Sequence, residues 1–323
     1  MIPGEAVSGP VAFAPLFMER VWGGRRLAER YGKDLPVGAV VGESWELVDR
    51  ADAQSTVRAG PLAGRTLHEL WRGELREELF GAHAAGAGDR FPLLIKLLDA
   101  SDTLSVQVHP PEHLSAELGG EPKSEMWYVA HAGPGAHLYA GLRRGVTRAA
   151  FEVTLRAGED VSALLHRIEV SAGDAIFIPS GRVHAIGAGC LIVEVQQSSD
   201  TTYRVFDFNR AGLDGRPREL HVEQSLRCID FGDIEPVRQD LDAGETVVAN
   251  DYFAVARWVL EEPRRVSELG ECAVICVLSG AVVMADAPFG PGELFLVPAA
   301  AGGEALVPVG GCAELLRVTL PGL

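Results

Sequence analysis

Ser105-Val-Gln-Val-His-Pro110 is the stretch that most constrains what this chain can fold into. In an extended strand, successive side chains point to opposite faces. Leu104, Val106 and Val108 therefore share one face, and Ser105, Gln107 and His109 the other. The first face belongs against a core. The second offers a hydroxyl, an amide and an imidazole, each costing about 1–3 kcal/mol to bury without a partner. Lys123-Ser-Glu-Met-Trp127 repeats the device, with Lys123, Glu125 and Trp127 on a common face, and Pro179-Ser-Gly-Arg-Val-His184 sets another imidazole just past a turn. Gln107, His109, Glu125 and His184 together supply two imidazoles, a carboxylate and an amide oxygen, an N/O donor set with no soft ligand. A lone strand histidine is more often a satisfied core residue than a ligand. Three strand-like motifs that each present such a group point instead to a metal.

With 323 residues the chain exceeds one small core, and two domains is the natural expectation. A net charge of −16 argues against nucleic acid or an anionic membrane as partner. It leaves room for a small anionic substrate, because a few local cations override the global sign. Lys33, Lys96 and Lys123 are the only lysines, and the last two lie in or beside the central motifs. The N-terminus lacks a basic start followed by an apolar run. The longest apolar run, Ala273–Ala285, is interrupted by Ser279 and Gly280 and is too short to span a bilayer. A cytoplasmic protein is the expectation. Cys190, Cys228, Cys272, Cys276 and Cys312 form no CxxC pair, so five buried reduced thiols are expected, with Cys272 and Cys276 packing as apolar groups.

Along the chain, Val21-Trp-Gly-Gly24 reads as a turn and Gly42–Leu47 as a strand. Thr66–Phe80 has helical spacing, opened by a Thr66/Glu69 capping box. Residues 81–88 form a loop, and Phe91–Leu98 reads as a buried strand broken by Lys96. Short helices are expected at His113–Leu118, Thr147–Phe151 and Leu220–Cys228. Strands are expected at Ala175–Pro179, Val183–Ile186, Leu191–Gln197, Tyr252–Leu260, Cys272–Leu278, Ala281–Asp286, Glu293–Pro298 and Ala313–Leu320. Turns every eight to twelve residues make this an antiparallel, mostly β pattern. The acidic stretch Asp230–Glu245 reads as the linker, dividing residues 1–237 from residues 238–323. His131 and His137 flank a Gly-Pro-Gly turn as solvated loop residues. His68, His83, His113, His166 and His221 lack partner spacing. Trp22, Trp45 and Trp127 are core residues or walls of a sugar site.

A repeat is hidden in this pattern. Gly173-x5-Pro179-x-Gly181-x2-His184 has the shape of the second sequence motif of cupin barrels. The frame recurs at Gly292-x5-Pro298, with Ala300 and Gly303 where glycine and histidine would stand. The fold class expected is therefore mostly β: two cupin-type jelly-roll barrels with a few short helices. The second barrel has lost its ligand, since residues 238–323 contain no histidine.

Cupins commonly hold a metal through His-x-His, and here Gln107 replaces the first histidine. Phe91-Pro-Leu-Leu-Ile-Lys-Leu-Leu-Asp-Ala100, Leu104–Pro110, Lys123-Ser-Glu-Met-Trp-Tyr128 and Thr202-Tyr-Arg-Val-Phe-Asp207 together resemble the type I mannose-6-phosphate isomerases, short bacterial form. Val21-Trp-Gly-Gly24 and Gly42-Glu-Ser-Trp45 fit the same family. The resemblance is dense over roughly residues 15 to 230. It implies Gln107, His109, Glu125 and His184 as ligands of one zinc ion per chain, and Arg204 as the catalytic arginine. Ser105 and Lys123 match positions lining the family's site, with Lys123 serving catalysis or the phosphate. The activity implied is interconversion of mannose 6-phosphate and fructose 6-phosphate through an enediol. The partner implied is a small sugar phosphate. Oligomeric state and the proton-carrying base are not legible. Taken without the family, Arg204 is as readily an ion-pair partner of Asp200 or Asp207 as a catalytic group, and Asp207 reads as a partner behind the site. Two rivals stand beside this reading. An iron or manganese cupin oxygenase is disfavoured by Gln107 in the first ligand position. A non-catalytic sugar-phosphate-binding or regulatory cupin is disfavoured by Arg204 and Lys123 together.

Overall fold

The structure, a computed structural model, describes residues 7, 9–82, 84, 88–239, 241, 244–301 and 303–320. His83 lies outside the described residues. Among the described residues most of the regular structure is β, arranged in three antiparallel sheets, and the longest helix is Arg148–Arg156. A six-stranded sheet runs Ala175–Ile178, Glu125–Ala132, Cys190–Gln197, Leu93–Ala100, Val41–Leu47, Leu16–Gly24 from edge to edge. A five-stranded sheet runs Tyr203–Phe206, Val106–Val108, His184–Ile186, His137–Leu142, Leu165–Glu169. A nine-stranded sheet is centred on the long strands Ala273–Met284 and Ala305–Thr319, and it also takes in Val11–Ala14 and Thr56–Val57 near the N-terminus. Among the described residues no sheet closes on itself into a barrel. Among those residues no helix is long and apolar enough to cross a membrane.

The six-stranded sheet is the middle layer because both its faces are apolar. Leu98, Trp127, Val129, Ile176 and Ile192 face Leu138, Ala140 and Ile186 of the five-stranded sheet. Leu93, Ile95, Leu97, Met126, Tyr128 and Val195 face the opposite way, against Val274, Leu296 and Val318 of the nine-stranded sheet and against helical Leu67, Leu70 and Trp71. Two-sided burial explains why Leu93–Ala100 reads as an unbroken apolar run rather than an alternating one. The outer face of the five-stranded sheet carries Val106, Val108, Val183 and Val205, covered by Phe151, Leu155 and Leu226 of two helices. Val106 and Val108 thus pack outward and Gln107 and His109 are left facing inward. Leu104 departs from the predicted alternation: it precedes the strand and joins the cluster between the two sheets.

Several elements differ from expectation for local reasons. The Thr66–Phe80 helix is two helices, Leu67–Arg72 and Arg76–Phe80, split at Gly73, whose backbone is extended; the Thr66/Glu69 capping box is present. Val21–Gly24 is not a turn but the end of a strand, since Gly23 and Gly24 admit Val41 and Ser101 where a Cβ would clash. The strands expected at Cys272–Leu278 and Ala281–Asp286 are one, Ala273–Met284, which absorbs Ser279 and Gly280 through register shifts against Ala305–Thr319. Cys312 is exposed, contrary to expectation, whereas Cys190, Cys228, Cys272 and Cys276 are buried and free.

The repeated frame has a structural counterpart. Gly173 and Gly292 both adopt positive φ (95° and 78°) at the entry to a four-residue strand that ends before Pro179 or Pro298. After Pro179 comes the turn to His184. After Pro298 comes a 3-10 turn, Ala299–Ala301.

Candidate active site

Strand register assembles the polar row. His184 and Arg204 both lie opposite Gln107, one on each neighbouring strand, so three strands of the five-stranded sheet carry Arg204, Gln107 and His184 side by side. Glu125 arrives from the facing sheet, at the start of the strand Glu125–Ala132. His109 follows the Val106–Val108 strand.

His109, Glu125 and His184 offer one ligand atom each, all within 4.8 Å of one another. Nε2 of His109 lies 3.4 Å from Glu125 Oε2, and Nε2 of His184 lies 3.5 Å from Glu125 Oε1. Each ring is turned by its other nitrogen: Nδ1 of His109 donates to Thr201 O (2.9 Å) and Nδ1 of His184 to Arg182 O (2.8 Å). A carbonyl only accepts, so the proton sits on Nδ1 and both Nε2 lone pairs face the carboxylate, the tautomer that metal-binding histidines adopt. Burial keeps both imidazoles neutral. It holds His184 down to about 3, aided by the neighbouring His109, and with the charge of Lys123 it lowers His109 as well. Burial opposes ionisation of Glu125, but the Lys123 ammonium outweighs it and holds the carboxyl well below its usual range. Lys123 Nζ approaches Glu125 Oε2 to 2.8 Å, a buried ion pair. Gln107 donates its amide nitrogen to Ser105 Oγ (3.1 Å), which leaves the amide oxygen as its donor atom. Two neutral imidazoles, a carboxylate and an amide oxygen suit a borderline divalent cation such as zinc.

Beside this cluster opens a cleft of about 530 Å³ whose lining includes Gln107, Lys123, Lys96, Arg204, Arg20 and Glu194. Lys123 and Glu194 are among the most deeply buried of these groups. Burial first, and the Glu125 charge second, push the Glu194 carboxyl up. Glu194 Oε2 accepts from Trp127 Nε1 (3.0 Å). Lys96 stands between three carboxylates, Glu43, Glu194 and Asp200, at 3.7, 3.6 and 3.9 Å. Against burial, Lys96 and Arg20 pull Glu43 down to about 2.

Arg204 differs from the other cations of the cleft. Neither expected ion pair forms: Asp207 is held by Arg210 and Arg218, and Asp200 faces Lys96. Among the described residues Arg204 has no carboxylate within 4.0 Å; NH1 donates to Glu219 O (2.8 Å) and the buried Nε has no partner. Its backbone N–H donates to His221 Nδ1 (3.1 Å), giving that histidine the partner its spacing did not reveal. His68 likewise has one, Asp49, at 3.2 Å. His131 and His137 sit on strands rather than in a loop. Trp22 lines the cleft, Trp45 lies under Lys96 with the ammonium 4.8 Å from the ring centroid, and Trp127 meets His184 edge-on at 5.3 Å. Residues the sequence reading passed over are Glu194, Arg20, Glu43 and Arg218. Glu194 carried a signal, a carboxylate inside the apolar run Leu191–Val195, and Lys96 carried the same signal in its own run.

The chain is similar to known proteins in both sequence and fold. Residues 12–128 match the family model for the phosphomannose isomerase type I catalytic domain. The mannose-6-phosphate isomerase ManA of Bacillus subtilis (strain 168) is 37% identical over 305 residues, covering 90% of this chain and 93% of that protein. The crystal structure of the mannose 6-phosphate isomerase from Bacillus subtilis superimposes with a TM-score of 0.84 at 30% identity, over 97% of this chain and 100% of that one. A mannose 6-phosphate isomerase bound with zinc and yttrium shares the fold, with a TM-score of 0.75 at 16% identity over 97% of this chain and 100% of that one. The chain belongs to the type I phosphomannose isomerase family.

Proposed function

We infer that the protein is a mannose-6-phosphate isomerase, interconverting mannose 6-phosphate and fructose 6-phosphate. The observation that carries this is the convergence of two Nε2 atoms and a carboxylate beside a cation-lined cleft, in a chain 37% identical to a named mannose-6-phosphate isomerase over 90% of its length. The ion we assign is zinc, one per chain, held by Gln107, His109, Glu125 and His184. Bound there, zinc supplies a Lewis acid for the sugar carbonyl and charge compensation for the oxygen that becomes anionic.

The remaining work falls to the chain. Moving a proton between two adjacent carbons needs a group that takes it and returns it. Glu194 suits that role: its carboxyl is buried, pushed up, and oriented by Trp127. Arg204 stays protonated and cannot be the base. Its unpaired guanidinium is available to enediolate or phosphate charge, where a preorganised donor in a low-dielectric site is worth most. Lys123 supplies a second buried positive charge, and Ser105 holds the Gln107 amide. Lys96, shared among three carboxylates, offsets part of the negative charge that those acids would present to an anionic substrate.

We assign this site to a catalytic unit of residues 1–237, and residues 238–323 to a metal-free unit that packs against the middle sheet. Each is read as a cupin-type β unit, a reading supported by the recurrence of the Gly-x5-Pro frame around Ala175–Ile178 and Leu294–Val297. A coupled assay tests the function: turnover of mannose 6-phosphate at a kcat/KM far above that for unphosphorylated mannose is expected. Equal kcat/KM for the two sugars would remove the sugar phosphate as substrate.

A further inference from the structure

The acidic stretch Asp230–Glu245 reads in the sequence as a linker, yet its first half is strapped across the turn that carries His184. Asp230 N–H donates to Gly181 O (2.8 Å), and Gly181 N–H donates to His109 O (2.9 Å). Asp233 O accepts from Leu142 N–H (2.9 Å), and Glu235 N–H donates to Leu142 O (2.9 Å). The approach is close: a Cβ on Gly141, whose φ is +66°, would lie 2.8 Å from Asp233 O and 2.7 Å from Pro236. Asp233 also grips Arg182 with both oxygens, accepting from Nε (2.7 Å) and NH2 (2.8 Å), while NH1 of Arg182 donates to Phe177 O (2.7 Å). The carbonyl of this same Arg182 accepts the hydrogen bond from His184 Nδ1–H.

We propose that Arg182 and Asp233 are positioning residues for the metal site: the strap fixes the Arg182 backbone and thereby the tautomer and aim of His184. Neither side chain touches substrate or metal. A planar guanidinium held by a carboxylate fork and a carbonyl has one geometry, so the peptide that carries it cannot rotate freely. Outer partners of metal-bound histidines tune affinity in this manner, typically by 10–100-fold. The inference rests on His184 being a ligand.

The test measures zinc dissociation constants of the full-length protein against a chromophoric chelator, well below the melting transition, with folding checked by near-ultraviolet circular dichroism. Asp233→Ala and Arg182→Lys should each weaken zinc roughly 10–100-fold, and the double variant should be no worse than the poorer single one. Arg144→Ala, which removes an exposed partner of Glu235 on the same strap, should leave affinity unchanged. A purely structural role would lower the melting temperature without moving the zinc constant. If Asp233→Ala does not fold, Arg182→Lys, which keeps the charge and loses the fork, decides alone. Wild-type zinc affinity in the folded strap variants overturns the proposal. Wild-type affinity in His184→Ala would instead overturn the ligand assignment beneath it.

Discussion

Glu125→Gln keeps the shape of the central ligand and removes its charge. In the intact site Lys123 is 5% exposed, 2.8 Å from Glu125 Oε2 and 3.3 Å from the neutral His109 Nε2. Neutralising Glu125 strands that ammonium, because Glu194 and Asp200 act on it only at longer range. Removing one partner of a buried pair costs about 3–5 kcal/mol. Unfolding entropy of about 2.1 cal/mol/K per residue gives roughly 0.7 kcal/mol/K for 323 residues. Metal-free Glu125→Gln should therefore melt roughly 4–7 °C below wild type, given a cooperative transition. Adding Lys123→Met should restore most of the loss, since the stranded charge is then gone. The pH dependence has a definite sign. The folded carboxyl titrates below its unfolded value, so its contribution is full at neutral pH and is lost as pH falls through the folded value. The gap between wild type and Glu125→Gln should close in acid. Scanning calorimetry of metal-free protein at neutral and acid pH measures all three. A variant that melts with wild type at neutral pH, or a double variant no better than the single, refutes the argument.

Arg204→Ala should lower kcat roughly 10²–10³-fold with zinc content unchanged; a normal kcat with raised KM would move Arg204 to ground-state phosphate binding. Glu194→Gln should lower kcat roughly 10²–10⁴-fold, again with zinc retained, and an unchanged kcat would exclude it as the proton carrier. His184 is held down to about 3 by burial and His109, so the unfolded chain takes up its proton first as pH falls from about 6.5. Metal-free protein should lose stability over that window, and His184→Gln should flatten the slope in thermal melts. Residues 238–323 contain no histidine, so metal analysis of a His109→Ala/His184→Ala variant should find no tightly bound zinc.

The site was legible where short-range rules govern it. Alternation along Val106–Val108 and Glu125–Trp127 puts Gln107, His109, Glu125 and Trp127 on inner faces whatever the rest of the chain does. Register was not legible, because it depends on long-range pairing: nothing local announces that Arg204, Gln107 and His184 stand in one row. Lys96 and Glu194 were visible as charges inside apolar strands, but their meaning needs the cleft that only the folded sheets enclose. The strand boundary at Ser279–Gly280 was overcalled because a bulge lets a strand carry glycine. Asp230–Glu245 was read as a linker because polar composition marks solvent contact, whereas in its first half the carboxylate of Asp233 is used to hold Arg182. The separate-barrel picture likewise missed that Val11–Ala14 pairs with Leu294–Val297, joining the two ends of the chain in one sheet.

We propose that one ion at Gln107, His109, Glu125 and His184 makes the isomerase work. Enzyme stripped by chelator and verified metal-free should not turn over mannose 6-phosphate. Zinc added back in steps should restore turnover linearly, with the break at one equivalent per chain. Full turnover in the verified metal-free enzyme would show that the reaction needs no ion at this site.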